Sequence, residues 1–213
     1  MLFIKRKRFT LSSFIFVIVF KIIMNYNLKL KGWCKVLVLV GPSASGKSAI
    51  VKCLTKKYGL EKFITCTTRC MRVGEVDNVD YHFLTQDEFS KLYENNEFIE
   101  TVYYNGNYYG TLKKEVDDNK VVILEPQGLN NFVNVLNDVF SVFLQTDEAV
   151  MKERMISRGD NILEINKRLE NDRILFSKDQ LAKIDYTINT TSLSIEEISA
   201  LIYEKYQSFC ENR

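Results

Sequence analysis

The sequence predicts an α/β protein with a mainly parallel sheet. Short apolar runs alternate with segments that carry helix signals along most of the 213 residues, an order typical of parallel strands joined by helices. A glycine-rich loop with the pattern G-x-x-x-x-G-K-S joins the first of these apolar runs to the first helical segment. The composition, with 46% hydrophobic and 26% charged residues, is that of a globular protein, and the length suits one domain with small inserted lobes.

The first predicted elements surround the glycine-rich loop. Residues 35–40 are a continuous apolar run, as in a strand that is buried on both faces of a sheet. Residues 46–58 are the first predicted helix, and Gly59 is placed to end it, because glycine readily adopts the left-handed conformation of a helix C-cap. Residues 63–67 are predicted to be the second strand.

The middle of the chain combines a helix signal with a hairpin signal. Thr85 and Glu88 form a capping-box pattern, which predicts a helix that begins there and runs toward Asn96. Residues 98–105 alternate weakly between apolar and polar side chains and end in Asn105-Gly106. This dipeptide is typical of the tight turn of a β-hairpin.

The second half of the chain predicts further strands and two helices. Asp147 can cap a helix that runs to Arg158 and ends at Gly159. Ser194 and Glu197 form a second capping-box pattern, which opens a C-terminal helix. Three more apolar runs are predicted to be short strands: residues 121–124, 139–144 and 186–189.

Charge is distributed unevenly along the chain. The formal net charge is +2, but residues 1–34 contain seven basic residues and no acidic one. Residues 35–213 therefore carry 22 basic and 27 acidic residues. This near balance argues against a general nucleic-acid partner.

The basic leader, residues 1–34, allows three interpretations. It begins like a signal peptide, with a basic start and a short apolar core at residues 14–20, but no A-x-A-like cleavage site follows. A membrane anchor needs about 20 apolar residues, and Lys21 interrupts this run. The third interpretation is that Met24 is the true start, which leaves 190 residues.

Cysteine usage indicates a reducing compartment. The chain has five cysteines without a tightly spaced framework, which is unlike a disulfide-stabilised secreted domain. We therefore predict a cytoplasmic protein. The sequence makes no prediction about the oligomeric state.

The glycine-rich loop is a candidate site for a nucleoside triphosphate. A loop of this pattern between a buried strand and a helix turns its amides and the helix N-terminus toward phosphate oxygens. Lys47 can reach the β- and γ-phosphates, and Ser48 can bind Mg²⁺. The candidate ligands are Gly41, Ser43, Ala44, Ser45, Gly46, Lys47 and Ser48. The loop alone is compatible with a hydrolase, a kinase or a switch.

Residues 65–83 form a second candidate phosphate site. Arg69 and Arg72 lie among several hydroxyl-bearing residues, and Tyr81 follows. Arginine forks suit bidentate contacts with phosphate, and hydroxyls complete such a shell. The alternative is an ordinary solvated loop with surface arginines.

Glu100 is a candidate reader of guanine. A carboxylate can accept hydrogen bonds from both N1–H and N2–H of guanine, whereas adenine presents a lone pair at N1. An unpaired buried carboxylate is costly, so such a site discriminates strongly. The alternative is that Glu100 is the exposed side of a half-buried strand and that Tyr108 and Tyr109 only pack.

Taken together, these motifs resemble the guanylate kinase family. The family's P-loop, T-T-R-x-x-R-x-G-E, D-Y-x-F, F-[IL]-E and G-N-x-Y-G-T patterns occur in order, and the resemblance covers about residues 35–207. It implies a P-loop NTPase-type parallel core with an inserted GMP-binding lobe and a helical lid. We assign residues 35–64 and 118–209 to the core, 65–117 to the lobe and 151–172 to the lid, within a domain of residues 35–209.

The resemblance also implies roles for individual residues. Glu100 and Thr111 match the family's guanine ligands, and Asn189 matches a contact on the adenine side of ATP. The lid arginines Arg154, Arg158 and Arg168 would close over the transferred phosphoryl group, although the first two could also form a solvated helix face. The residues that match the family's ligands for the GMP phosphate are Thr65, Arg69, Arg72, Tyr81 and Tyr109.

The chain departs from the family pattern at several positions. The family usually has D-x-D-x-Q-G at residues 123–128, which begin at the end of the strand at 121–124, but here Ile123 replaces the first acid and Glu125 the second. Glu125 can still lie near Mg²⁺. Ala44 and Asn78 replace common glycines of the family, and we expect both to be tolerated.

The resemblance implies a kinase that transfers the γ-phosphate of ATP to GMP or dGMP, with Mg²⁺. Two alternatives remain at this point. One is a P-loop kinase with a different acceptor, such as another nucleotide or a ribosyl phosphate, because Ile123 replaces an acid. The other is a catalytically weak binding module with a guanylate-kinase-like fold.

Overall fold

A computed structural model describes residues 36–104, 106–117, 119–177, 180–181 and 183–211. The leader and the alternative start at Met24 lie outside the described residues, as does Asn105 of the predicted turn.

The core is a five-stranded sheet in which all neighbouring strands are parallel. Their carboxyl ends therefore meet at one edge, where ligands bind in open α/β sheets. The strands, in spatial order, are β2 (Glu61–Lys62), β7 (Lys120–Ile123), β1 (Val36–Val40), β8 (Val139–Gln145) and β9 (Tyr186–Asn189). The predicted mixed α/β class with a parallel sheet is confirmed.

Six α-helices lie in the described part of the chain: α1 (Lys47–Tyr58), α2 (Gln86–Glu94), α3 (Pro126–Val135), α4 (Glu148–Ser157), α5 (Ile162–Leu175) and α6 (Ile195–Glu211). None of these helices is long and apolar enough to cross a bilayer. Our predictions from residue patterns included neither α3 nor a separate helix at α5.

Strand β1 separates two hydrophobic layers. Leu37 and Leu39 pack with residues of α1 and α6 on one face of the sheet. Val38 and its neighbours at alternate positions pack with Leu129 and Phe132 of α3 on the other face. Because side chains alternate along a strand, an unbroken apolar run is needed to serve both layers, and all five residues of β1 are fully buried.

A second, four-stranded sheet has the order β4-β3-β6-β5. Strands β5 (Phe98–Tyr104) and β6 (Asn107–Leu112) form an antiparallel hairpin, and β3 (Cys66–Thr67) pairs with β6 and with β4 (His82–Phe83). Helix α2 covers this sheet through Phe89, which packs with Phe98 and Leu112.

The predicted single strand at residues 63–67 is wrong. The chain leaves the first sheet after Lys62 and enters the second sheet at Cys66. The Phe63 N–H still donates to the Val121 carbonyl, whereas the Thr65 carbonyl accepts from the His82 N–H. Residues of this one apolar segment thus bond to two different sheets. The apolar pattern does not show which strand each residue pairs with.

The helix boundaries predicted at Gly59, Thr85, Asp147, Gly159 and Ser194 all lie within two residues of observed helix ends. The capping boxes at Thr85 and at Ser194 are both formed, and Gly59 ends α1 with a φ of 72°. Asp147 occupies the N-cap of α4, but its side chain makes no capping bond. The predicted side-chain cap is therefore wrong, and the Asp147 backbone N–H donates to the Thr191 hydroxyl at 3.1 Å.

Candidate active site

The glycine-rich loop lies between β1 and α1, at the carboxyl edge of the parallel sheet. Gly46 forms the N-cap of α1 with a φ of 99°, a left-handed conformation that glycine adopts without cost. Ala44 also has a positive φ, of 58°. The helix begins directly after the loop, so its first amides and the positive end of its dipole face any phosphate held there.

Gly41 has no room for a side chain. A Cβ at this position would lie 2.9 Å from the Leu144 carbonyl oxygen and 2.9 Å from the Ser45 hydroxyl. The loop therefore passes close to the backbone of β8, and only a residue without a Cβ permits that approach.

Replacement of Gly41 by alanine is expected to displace the loop and destabilise the protein by about 1–3 kcal/mol. Urea unfolding would measure the change in stability. A nucleotide-binding assay would show whether the loop still binds its ligand. Gly59→Ala is the matched control, since a Cβ there meets nothing within 4 Å and the site is remote from the loop. The control should lose about 1 kcal/mol for its left-handed backbone and keep nucleotide binding. Equal binding by both variants would contradict the close-approach argument.

Lys47 folds back over the loop. Its Nζ donates to the carbonyl oxygens of Gly41 and Pro42, at 2.5 and 2.8 Å. Burial lowers the pKa of Lys47, and the negative charges of Glu125 and Asp172 oppose that shift. The ammonium group is thus held beside two carboxylates at the point where phosphate oxygens would enter.

One cleft of about 750 Å³ joins the loop to the second sheet. Three of the predicted site residues are not on its walls. Gly41 is buried at the start of the loop, Thr111 is fully buried, and Asn189 accepts a hydrogen bond from the Thr191 N–H at 2.8 Å. The other predicted residues line the cleft: Ser43, Ala44, Ser45, Gly46, Lys47, Ser48, Thr65, Arg69, Arg72, Tyr81, Glu100, Tyr109, Glu125, Arg154, Arg158 and Arg168.

Glu100 lines the same cleft as the glycine-rich loop. It is only 5% exposed, and it lies beside a register shift in the hairpin between Phe98 and Glu100, an irregularity that is common next to active sites. Its Oε1 accepts a hydrogen bond from the Thr111 hydroxyl at 2.7 Å. Its Oε2 is buried without a hydrogen-bond partner among the described residues.

The surroundings of Glu100 disfavour its charged form. Burial raises the pKa of Glu100 to about 7, although the bonds from Thr111 act in the opposite direction. A Cβ on Gly128 would lie 3.2 Å from Oε2, so the missing side chain leaves space beside that oxygen. An orphaned buried carboxylate oxygen is unfavourable, and a ligand with paired N–H donors would satisfy it.

Several arginine side chains line the cleft. The Arg69 guanidinium forms a bidentate pair with Glu75, at 2.8 and 3.1 Å, and lies over the Tyr81 ring. Burial, followed by the positive charges of Arg69 and Arg168, lowers the pKa of Arg72. Arginines that crowd one another in this way are stabilised by a bound anion.

Three hydroxyl groups border these arginines. Burial raises the pKa of Tyr81 to about 12, so its phenol stays protonated and can donate. The rings of Tyr81 and Tyr109 meet edge to face, with centroids 6.3 Å apart. Thr65, almost fully buried, adds a hydroxyl to the same wall.

The lid arginines are held by different partners. Arg154 of α4 donates to the Ala44 carbonyl at 3.1 Å and to the Thr190 carbonyl at 2.9 Å, so it binds the loop itself. Arg158 and Arg168 both pair with the Asp160 carboxylate, at 2.8 and 3.0 Å. This carboxylate connects the end of α4 to α5.

The residues predicted to bind Mg²⁺ are compatible with that ion. Ser48 presents an exposed hydroxyl in the first turn of α1. Glu125, at the N-cap of α3, has a buried Oε2 with no hydrogen-bond partner among the described residues. Burial raises the pKa of Glu125 to about 7, while Lys47 acts in the opposite direction. Mg²⁺ prefers such oxygen ligands and often takes only one or two from the protein, with phosphates completing its shell.

The sequence model of the guanylate kinase family matches residues 34–204. This chain belongs to the guanylate kinase family. The resemblance inferred from the motifs is thereby confirmed. The matched span includes both sheets, the cleft and the lid helices.

Several guanylate kinases are similar to this chain. That of Mycoplasma mobile is 33% identical over an alignment of 184 positions, and the match covers 79% of this chain and 92% of the relative. That of Campylobacter jejuni is 33% identical over an alignment of 199 positions, and the match covers 87% of this chain and 94% of the relative. The crystal structure of the guanylate kinase from Anaplasma phagocytophilum superposes with a TM-score of 0.65 at 25% identity and covers 82% of this chain and 85% of that one.

The departures from the guanylate kinase pattern have visible consequences. Ala44 and Asn78 both have positive φ angles, of 58° and 60°, a region where glycine is favoured. Asn tolerates this conformation better than Ala, so the strain falls mainly on the phosphate loop. Ile123, at the end of β7, places a half-buried apolar side chain on the cleft wall.

The structure adds polar residues that our sequence reasoning missed. Asp160 holds two lid arginines, and the buried Thr190 hydroxyl donates to the Ser45 carbonyl at 3.1 Å. Asp172 and Tyr104 meet beside the loop. One signal could have revealed Asp172: it follows Ile165 and Leu169 at helical spacing, where the buried face of α5 calls for an apolar residue.

Proposed function

We propose that the cleft transfers the γ-phosphate of ATP to GMP or dGMP and releases ADP and GDP. Membership of the family makes the protein a guanylate kinase. The observation that carries the residue assignment is the orphaned Oε2 of Glu100, which shares one cleft with the phosphate loop and Lys47. The four cysteines of the described residues are free thiols, which supports a cytoplasmic location.

The donor half of the cleft would hold ATP. The amides of residues 43–48 and the start of α1 bind the phosphates, and Lys47 turns from the loop carbonyls to the β- and γ-oxygens. Ser48 and Glu125 would hold Mg²⁺, which neutralises charge on the β- and γ-phosphates. Asn189 is assigned to the adenine side of ATP by its place in the family pattern.

The acceptor half would hold GMP. Glu100 accepts hydrogen bonds from N1–H and N2–H of guanine, and Thr111 fixes the orientation of that carboxylate. Arg69 and Arg72 bind the phosphate. The hydroxyls of Thr65, Tyr81 and Tyr109 complete the acceptor-phosphate site.

The transfer step needs positioning more than covalent chemistry. An oxygen of the GMP phosphate bonds to the γ-phosphorus, and the bond between that phosphorus and the β–γ bridging oxygen breaks, leaving its electrons on ADP. Charge spreads over the transferred group during this step. Arg154, Arg158 and Arg168 stabilise that charge, and the latter two exchange Asp160 for phosphate oxygens as the lid closes and excludes water.

The binding of GMP should depend on pH through Glu100. In the free protein the pKa of Glu100 is raised to about 7, and guanine donors favour its charged form, so the pKa falls on binding. Binding then releases a proton. The affinity is greatest well above pH 7 and declines as the pH falls through 7, by about tenfold between pH 8 and pH 6.

Calorimetric titration of GMP in two buffers of different ionisation enthalpy would measure this proton. About half a proton should leave per GMP bound at pH 7. The control is Glu100→Gln, titrated at higher GMP concentration, which removes the titrating group while leaving Glu125 in place. Equal proton release by both proteins would contradict the assignment of Glu100.

A phosphotransfer assay with a panel of acceptors tests the proposed function. The panel contains GMP, dGMP, AMP, UMP, CMP and a ribosyl phosphate, each with ATP and Mg²⁺. We expect turnover with GMP and dGMP and little with the others. Preference for any other acceptor, or absence of transfer, would overturn the proposal.

A further inference from the structure

Asp172 is a charged residue on the buried face of a lid helix. It is 3% exposed and follows Ile165 and Leu169 on the side of α5 that packs against α4. Burying a carboxylate is costly unless hydrogen bonds compensate it. Its position therefore requires specific partners.

Those partners come from two other parts of the protein. The Asp172 Oδ2 accepts a hydrogen bond from the Ser43 N–H of the phosphate loop at 2.8 Å. Its Oδ1 accepts one from the Tyr104 hydroxyl at 2.9 Å. Tyr104 is the last residue of β5, in the sheet that contains Glu100. One carboxylate thus joins the lid, the donor loop and the acceptor sheet.

The protonation of Tyr104 supports this arrangement. Burial, then the negative charges of Glu125 and Asp172, raises the pKa of Tyr104. The phenol therefore remains a hydrogen-bond donor throughout the physiological range. Burial lowers the pKa of Lys47, and the negative charges of Glu125 and then Asp172 oppose that shift.

We propose that Asp172 and Tyr104 are positioning residues that couple the two substrate sites. The buried carboxylate is satisfied only when the Ser43 amide and the Tyr104 hydroxyl both lie against it. A nucleotide that orders the loop therefore also orders the acceptor sheet. In the same way, GMP that orders the acceptor sheet also orders the loop. Each substrate then raises the affinity for the other by the same factor. The proposal rests on the proposed function, since the two sites must hold ATP and GMP.

The test is a thermodynamic coupling measurement. The Kd of GMP is measured by calorimetry with and without a saturating non-hydrolysable ATP analogue and Mg²⁺. In the wild-type protein the analogue should tighten GMP binding at least about fivefold. In Asp172→Asn the gain should fall below about twofold, while the Kd of each ligand alone changes by less than about threefold.

Tyr104→Phe removes one hydroxyl from the same link and is a second, milder variant. It should reduce the coupling as Asp172→Asn does, and the double variant should be no worse than either single one, because all three lose the same connection. The control is Arg173→Gln. Arg173 is exposed next to Asp172 and pairs only with Glu148 among the described contacts, so the coupling should remain.

The outcomes separate this proposal from the function on which it rests. Wild-type coupling in both Asp172→Asn and Tyr104→Phe would overturn the positioning role and leave the kinase assignment intact. Equal loss in Arg173→Gln would also overturn it, because any disturbance of α5 would then suffice. Failure of the wild-type protein to bind GMP would overturn the proposed function itself, and the coupling with it.

Discussion

Lys47→Ala is expected to lower the kcat of GMP phosphorylation by about 10³-fold or more. The ammonium group is held at the phosphate loop beside Glu125 and Asp172, and its two loop carbonyls are the contacts it exchanges for phosphate oxygens. The variant removes a positive charge from the place where the transition state gains negative charge. The binding of GMP alone should be nearly unchanged, since Glu100 and the acceptor arginines remain.

Steady-state kinetics with ATP and GMP would measure this effect. Lys56→Ala is the matched control, because Lys56 lies in the last turn of the same helix and is exposed. The control should keep wild-type kcat and similar stability. Near-normal turnover by Lys47→Ala would refute the assignment of the donor site.

Glu100→Gln is expected to lower kcat/KM for GMP by about 10²- to 10³-fold, because a site built to pair with specific polar groups loses much when one is altered. A glutamine has one acceptor oxygen, and its amide nitrogen opposes the N–H groups of guanine. The bond from the Thr111 hydroxyl to Oε1 holds the existing acceptor in place, so the side chain cannot simply rotate. The preference for GMP over AMP should fall by a comparable factor.

The kinetic comparison needs several acceptors and an isosteric control. Glu97→Gln is suitable, since Glu97 immediately precedes β5 and is exposed. That variant should retain wild-type kcat/KM for GMP. An equal loss by Glu100→Gln with GMP, AMP and UMP would show a general defect and count against guanine reading.

Sequence patterns predicted the elements whose bonds are local. The capping boxes at Thr85 and Ser194 involve residues three positions apart. The phosphate loop is similarly contiguous, from Gly41 to Ser48. In both cases the interacting residues are close together in the chain. A short sequence pattern therefore includes every residue that forms the cap or the loop.

Long-range pairing limited the rest of the fold prediction. Residues 63–67 look like one strand, but the chain changes sheets within them. Asp147 occupies the N-cap of α4, but its side chain makes no capping bond, and its backbone N–H donates to Thr191, which is 44 positions away. Local propensity does not specify these distant partners.

The candidate site was also predictable only in part, where its residues belong to sequence motifs. Motifs placed Glu100, Arg69 and the lid arginines together, and the described cleft brings their side chains to its walls. Asp172 belongs to no motif, and its partners lie 129 and 68 positions away. The one sequence signal for Asp172 is an acidic residue at a helix position where an apolar residue is expected. That signal does not identify its hydrogen-bond partners.

The most direct test follows the transferred phosphate itself. Wild-type protein is incubated with ATP labelled in the γ-phosphate, unlabelled GMP and Mg²⁺, and the products are separated. We predict that the label appears in the β-phosphate of GDP, with one ADP formed for each GDP. Label released only as inorganic phosphate, or ATP left unconsumed, would contradict the account.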